Sequence, residues 1–190
     1  MTIADIAGAV RRARRNPQTL IASRTGEAAS NLSVIEHGRR LPRVDKLDRI
    51  LRASDARLAA IPTTRSGALE ASTEIRRALS DSDNGRAFRS WLAYNDSLAA
   101  ENAVNRVVLA AFPPEPTGSA LYDAALAGVS EYRLRETNSP VPQWVTETAE
   151  LDEPTVFASS RYVTTVDPSE VAEPFLRRGV LIPEATLRSV

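Results

Sequence analysis

A single histidine, His37, and the absence of cysteine limit what this chain can catalyse. Without a second histidine there is no His-paired nucleophile and no multi-histidine metal site, and without thiols there is neither a thiolate centre nor a disulfide. No G-x-x-x-x-G-K-[ST] or G-x-G-x-x-G loop is present to cradle a phosphate. The stretch D-S-D-N-G at 81–85 opens like a calcium loop. Its glycine comes one position early and Leu92 stands where a closing glutamate is required, so it reads as a turn. Catalytic residues, metal ligands and cofactors are therefore not expected. The chemistry on offer is recognition. Positions 26–43 read G-E-A-A-S-N-L-S-V-I-E-H-G-R-R-L-P-R, an amide, hydroxyls and small aliphatics followed by three arginines. An asparagine amide can meet a base edge at two points, and guanidinium groups grip phosphates.

Such residues work only if an element holds them out. From Ile3 to Arg15 the apolar residues Ile3, Ile6, Ala7, Val10 and Ala13 recur at helical spacing, which predicts a first helix. Asn16 ends it, and Pro17 opens a second over Gln18–Thr25. Gly26 is the stop, and Ala28–His37 is the third helix, with Leu32 and Ile35 facing inward and Gly38 ending it. A fourth is predicted at Val44–Ala53 and a short fifth at Asp55–Ala60. Gly26 is the critical residue, because a tight turn between two steeply inclined helices requires the positive φ that glycine supplies. The second helix of such a pair is free to enter a DNA major groove.

The run Q-T-L-I-A-S-R-T-G-E-A-A-S-N-L-S-V-I-E-H-G-R-R resembles, without a gap, the Xre or Cro/C1-type helix-turn-helix of bacterial and phage repressors. Gln18, Ile21, Ala22, Gly26, Ser30, Leu32, Ile35, Glu36, Gly38, Arg39 and Arg40 fall where that pattern wants them, and the match covers about Ile3 to Pro62. The resemblance implies a five-helix domain, an ion pair between Arg11 and Glu36, and binding to double-stranded operator DNA as a homodimer. The base-facing positions would be Ala29, Ser30, Asn31 and Val34: Asn31 suits adenine, and Ala29 or Val34 a thymine methyl. No arginine stands there to grip guanine, so discrimination is expected to be modest or to lean on DNA shape. Gln18, with its helix N-terminus, and Arg39, Arg40 and Arg43 are the phosphate contacts, while His37 is either a contact or a satisfied surface residue. Asn16, Thr25 and Glu27 stand where the family commonly has apolar residues. Each lost aliphatic burial costs about 1.5–3 kcal/mol, so this core is expected to be thinly packed.

The 24 Lys and Arg and 24 Asp and Glu divide unevenly. Residues 1–60 hold twelve of the bases and six of the acids, leaving twelve and eighteen to the rest. A basic module for an anionic partner followed by an acidic module for another task is the reading. T-T-R-S-G at 63–67 is the expected linker, and 68–190 a helical, partner-binding or dimerising domain with little or no strand. Helices are predicted at Ala68–Ser80, over one long stretch from Arg86 to Phe112 with Phe88, Trp91, Leu92, Val104, Val107 and Val108 as its apolar stripe, and from Thr117 or Ser119 to about Glu136. Val156 to Val166 fits strand or helix equally. The last stretch reads as a helix end, an extended piece and a small terminal helix. Phe88, Trp91, Tyr94, Phe112, Tyr122, Tyr132 and Trp144 are expected in the core. The fold class is therefore mainly α.

F-R near Phe88, P-P-x-P-T-G, a P-x-W element and the closing F-x-R-R-G-V-L-I resemble the second half of actinobacterial Xre-type regulators. That likeness implies an antitoxin paired with a toxin of the AbiEii-like nucleotidyltransferase kind. Its toxin contacts would lie in E-T-A-E-L-D-E (Glu147, Glu150, Asp152 and Glu153) and in Phe175, Arg177 and Arg178. The alternative is a one-component repressor whose second domain dimerises or senses a small ligand. The first fifteen residues put positive charge after an apolar stretch, the reverse of a secretory signal, and Val107–Phe112 is too short to cross a bilayer. A cytoplasmic protein is expected.

Overall fold

The computed structural model describes residues 8, 11, 16–58, 60–158 and 164–188 of the 190. Its fold is mainly α, with one two-stranded sheet among the described residues. The chain forms two compact units, Met1–Pro62 and Thr63–Val190.

In the first unit α1 is Gln18–Thr25, α2 is Ala29–Glu36 and α3 is Val44–Ala53. Gly8 and Arg11 are helical; the other residues of the helix predicted over 3–15 lie outside the described ones. Ile21, Leu32, Ile35, Ile50 and Ala53 form the buried cluster, and Leu47 and Leu51 are buried as well. The three polar residues at expected apolar positions are all bonded. Thr25 Oγ1 donates to the Ile21 carbonyl at 2.8 Å, Asn16 Nδ2 to Asp55 Oδ2 at 2.7 Å, and Glu27 pairs with Lys46 at 2.7 Å. Hydrogen bonds thus offset part of the missing apolar burial. The fifth helix expected at 55–60 is corrected. Residues 55–58 and 60 are not helical, because the chain reverses out of α3 with Asp55 at φ 60° and the Ala56 amide bonded back to Leu51.

The second unit holds α4 (Ala68–Ser80), α5 (Asn84–Ala99), α6 (Ala103–Ala110), α7 (Ala120–Arg135), α8 (Gln143–Glu147), β1 (Thr155–Val156), α9 (Glu173–Leu176) and β2 (Val180–Leu181). Short 3-10 turns lie at Pro168–Glu170 and Glu184–Leu187. The stretch 63–67 is not a free linker. Thr63 Oγ1 donates to Glu101, and the Gly67 amide donates to Glu70 at 3.0 Å, capping α4. The single long helix expected over 86–112 is also corrected. Asn102 caps a new helix by accepting from the Asn105 amide at 3.1 Å, and beyond the break Val104 is 71% exposed, so the predicted stripe does not continue.

Helix α7 is the hub, packing against α4, α5, α6, α8, α9 and β2. Residues 124–131 are all buried, as expected of a helix surrounded on every side. A Cβ on Gly128 would fall 2.7 Å from the Phe175 ring, so only glycine admits α9 this closely. Trp91 donates its Nε1 to the Ala125 carbonyl at 3.0 Å and meets Phe157 edge to face at 4.9 Å. The strands pair in parallel, Thr155 with Val180 and Val156 with Leu181, which sets Phe157 in this core. Of the stretch left open between strand and helix, Val156 is strand, 157–158 and 164–166 are neither, and 159–163 lie outside the described residues. Phe88, Tyr94 and Tyr122 are buried, while Phe112, Tyr132 and Trp144 are half-buried.

Candidate nucleic-acid interface

α1 ends at Gly26, whose φ of 71° lets the chain turn, and α2 begins three residues later. No atom lies within 4 Å of where a Gly26 Cβ would sit, so the demand for glycine there is one of backbone conformation alone. α2 buries Leu32, Ile35 and Glu36. Its other face carries Ala29, Ser30 and Val34, all exposed, while Asn31 is half-buried. The geometry therefore gathers three of the four proposed base-reading positions on an open face and leaves the fourth at its edge.

Arg39, Arg40 and Arg43 follow α2 and are all exposed, with Leu41 (63%) and Val44 (62%) beside them. The N-cap positions of α1, α2 and α3 are Pro17, Ala28 and Arg43, and none supplies a side-chain cap. The Leu20 and Asn31 amides turn back to the carbonyls of Pro17 and Ala28, and with no side chain capping these ends the helix dipole favours an anion there. Gln18 differs from expectation: its Nε2 donates to Glu36 Oε2 at 2.8 Å, so the amide ties α1 to the end of α2. Of the two residues expected to pair, Glu36 is only 6% exposed, and Arg11 brings Nη1 to 3.5 Å from His37 Nε2 at the end of α2. His37 Nδ1 lies 2.7 Å from the Ser33 carbonyl, which makes it the protonated nitrogen and holds the ring against its own helix.

Sequence reasoning missed a clamp at the start of α2. Lys46 of α3 hydrogen-bonds Glu27 and, aided by Asn31, holds that carboxyl below its usual range. An i,i+4 relation between Glu27 and Asn31 was visible, but the lysine arrives from another helix.

Of the residues proposed to meet a protein partner, Glu147, Glu150, Asp152 and Glu153 are exposed. Phe175 and Arg178 are a correction: at 0% and 2% exposure they belong to the interior. Phe175 packs on Gly128; Arg178 Nη1 meets Glu131 Oε2 at 2.7 Å and donates to the Pro174 carbonyl at 2.6 Å, and its Nη2 donates to the Val145 carbonyl at 2.6 Å. Arg177 is bonded to the same Glu131. Burial holds the Arg178 guanidinium below its ordinary value, and Glu131 opposes that shift.

Among the described residues no group of His, Cys, Asp and Glu is placed to hold a metal ion, and no helix is long and apolar enough to cross a membrane. Comparison with protein-family models, curated proteins and solved structures finds no match to the chain.

Proposed function

We propose that the chain is a cytoplasmic DNA-binding transcriptional regulator, acting as an antitoxin that neutralises a cognate toxin through its second unit and represses its own operon. The observation that carries the DNA-binding part is the glycine-turned pair α1–α2, whose second helix keeps a small, polar face open beside three exposed arginines. A major groove admits a helix of this kind, the arginines and uncapped helix ends suit phosphates, and Asn31 suits adenine. The homodimer on DNA follows from the family resemblance. Support for the partner-binding part is the charge division between the halves and the exposed carboxylates of 147–153. A nucleotidyltransferase toxin must present positive charge to its substrates, which makes it a fitting target.

Salt-dependent binding of the full chain to its own upstream DNA tests this. Replacing Arg39 and Arg40 by Ala weakens binding to all sequences alike and lowers the salt slope by about one per lost phosphate contact. Absence of salt-sensitive binding rejects the reading. A one-component repressor with a dimerising second unit is the second reading, favoured by Val104 (71% exposed) and Val108 (36%), one turn apart on α6. Rescue of growth when the neighbouring gene's product is co-expressed with the full chain separates the two.

A further inference from the structure

The face that α2 keeps open is small and largely aliphatic. Ala28, Ala29, Ser30 and Val34 are exposed, and Ser30 and Val34 stand one helical turn apart. The helix and its N-cap hold no arginine, lysine or glutamine. Their one carboxylate, Glu36, is 6% exposed and accepts from Gln18. Asn31 is half-buried at the edge of the face, where it helps Lys46 hold the Glu27 carboxylate. Arg39, Arg40 and Arg43 are exposed in the loop that follows, so positive charge lies beside the face and not on it.

We infer that α2 discriminates bases by the 5-methyl group of a pyrimidine, carried by thymine or by 5-methylcytosine, with Val34 and Ala29 as its contacts. The inference rests on the DNA-binding reading and names what that helix recognises. In the major groove each base pair presents hydrogen-bond donors and acceptors, and the 5-methyl is the only alkyl group among them. An aliphatic side chain pressed on a donor or acceptor desolvates it and gives nothing back. The same side chain gains by covering a methyl. A serine hydroxyl donates or accepts alike, so Ser30 tolerates any base and selects none. The neighbouring arginines complement phosphates, which favours a nucleic acid over a protein or a second copy as the occupant of this face. Duplex RNA is a poor alternative, because its major groove is too narrow to be read and uracil lacks the methyl.

The test uses the full chain and the segment of its own upstream DNA that it protects in footprinting. Duplexes are made with every thymine replaced by uracil, and then with single replacements. One buried methyl is worth about fourfold in affinity, so a loss of about fourfold to tenfold is expected, confined to one or two base pairs. Changing a sensitive T·A pair to C·G lowers affinity, and 5-methylation of that cytosine restores about fourfold. Val34→Ser brings the thymine-to-uracil ratio at its base pair to one, whereas Val34→Leu keeps it. Because the readout is a ratio, a general loss of affinity does not imitate it, and hydrogen exchange of the α2 amides shows that the helix is intact. Uracil duplexes bound as tightly as thymine duplexes overturn the inference. So does Asn31→Ala removing the preference while Val34→Ser leaves it, since the amide then does the reading. A uracil penalty that 5-methylcytosine does not relieve assigns the effect to DNA shape and overturns it too. Absence of salt-sensitive binding to any duplex rejects the DNA-binding reading itself; binding indifferent to every methyl exchange rejects this inference alone.

Discussion

Arg39, Arg40 and Arg43 of the first unit stand exposed after α2, while Arg106, Arg133 and Arg178 of the second are buried and bonded to main-chain carbonyls and to Glu131 or Glu136. The same side chain, abundant in both halves, is left to solvent in one and made structural in the other. Arg106 shows how: Nε and Nη2 take the carbonyls of Glu101 and Ala99, freed where α5 ends, and Nη1 takes Arg133 and Glu136 of the region around α7. A guanidinium carries five donors in a fixed fork, so it can close several orphan acceptors at a helix junction. Among the described residues of the first unit Arg24 donates to the Ala53 carbonyl at 3.2 Å and Arg52 pairs with Asp48 at 2.8 Å, while Arg39, Arg40 and Arg43 stay exposed. Arginine content is therefore no guide to nucleic-acid binding; the carbonyls and carboxylates within reach decide it.

The strongest way to break this contrast is to remove Glu131, 1% exposed and bonded to Arg178, Arg177 and Arg135. Glu131→Leu leaves Arg178 buried without its counter-charge and is expected to destabilise the second unit by about 3–5 kcal/mol. Urea unfolding followed by tryptophan emission measures it, since both tryptophans lie in that unit. Glu131→Leu with Arg178→Met recovers most of the loss; additive losses would show that the charges are independent. The counterpart in the first unit is Glu36, for which Glu36→Ala costs about 1–3 kcal/mol by leaving a buried site with Gln18 unanswered. Hydrogen exchange of the α2 amides reads it, and a cycle with Arg11→Ala tests the expected pair through non-additivity.

Gly26→Val sharpens the comparison at the turn. With no steric neighbour the cost is that of a β-branched residue at positive φ, about 1–2 kcal/mol, and Gly26→Asn loses less. DNA affinity should fall with α2 exchange protection, while tryptophan emission stays unchanged. The smallest effect is electrostatic. The Lys46 contact lowers the Glu27 carboxyl from its ordinary 4.5, so its contribution is present above 4.5 and disappears as pH falls through the lower folded value. Glu27→Gln should flatten that acid limb of first-unit stability, leaving the second unit's curve in place; an identical limb in both proteins would show that the clamp does not contribute.

Much of this was legible along the chain. The Gly26 turn, the inward Leu32 and Ile35, the capped helix at 68–80, the buried aromatic residues of α5 and the extended piece near 180 all follow from local rules, because backbone conformation and side-chain period are set by neighbours a few residues away. The open face of α2 was legible for the same reason. The break after Ala99 was not. A-A-E-N-A-V suits a continuing helix by propensity, and the interruption comes with the Asn102 cap and with Arg106 meeting both the freed carbonyls and Glu136. Nor could spacing tell that Arg178 is interior and Arg39 is not, since Arg178 owes its burial to Glu131 on α7 and to the carbonyl of Val145 on α8. Period, caps and turns are local energies that a sequence carries openly; the burial of a charge depends on which distant partner packing supplies, and only the tertiary structure decides that.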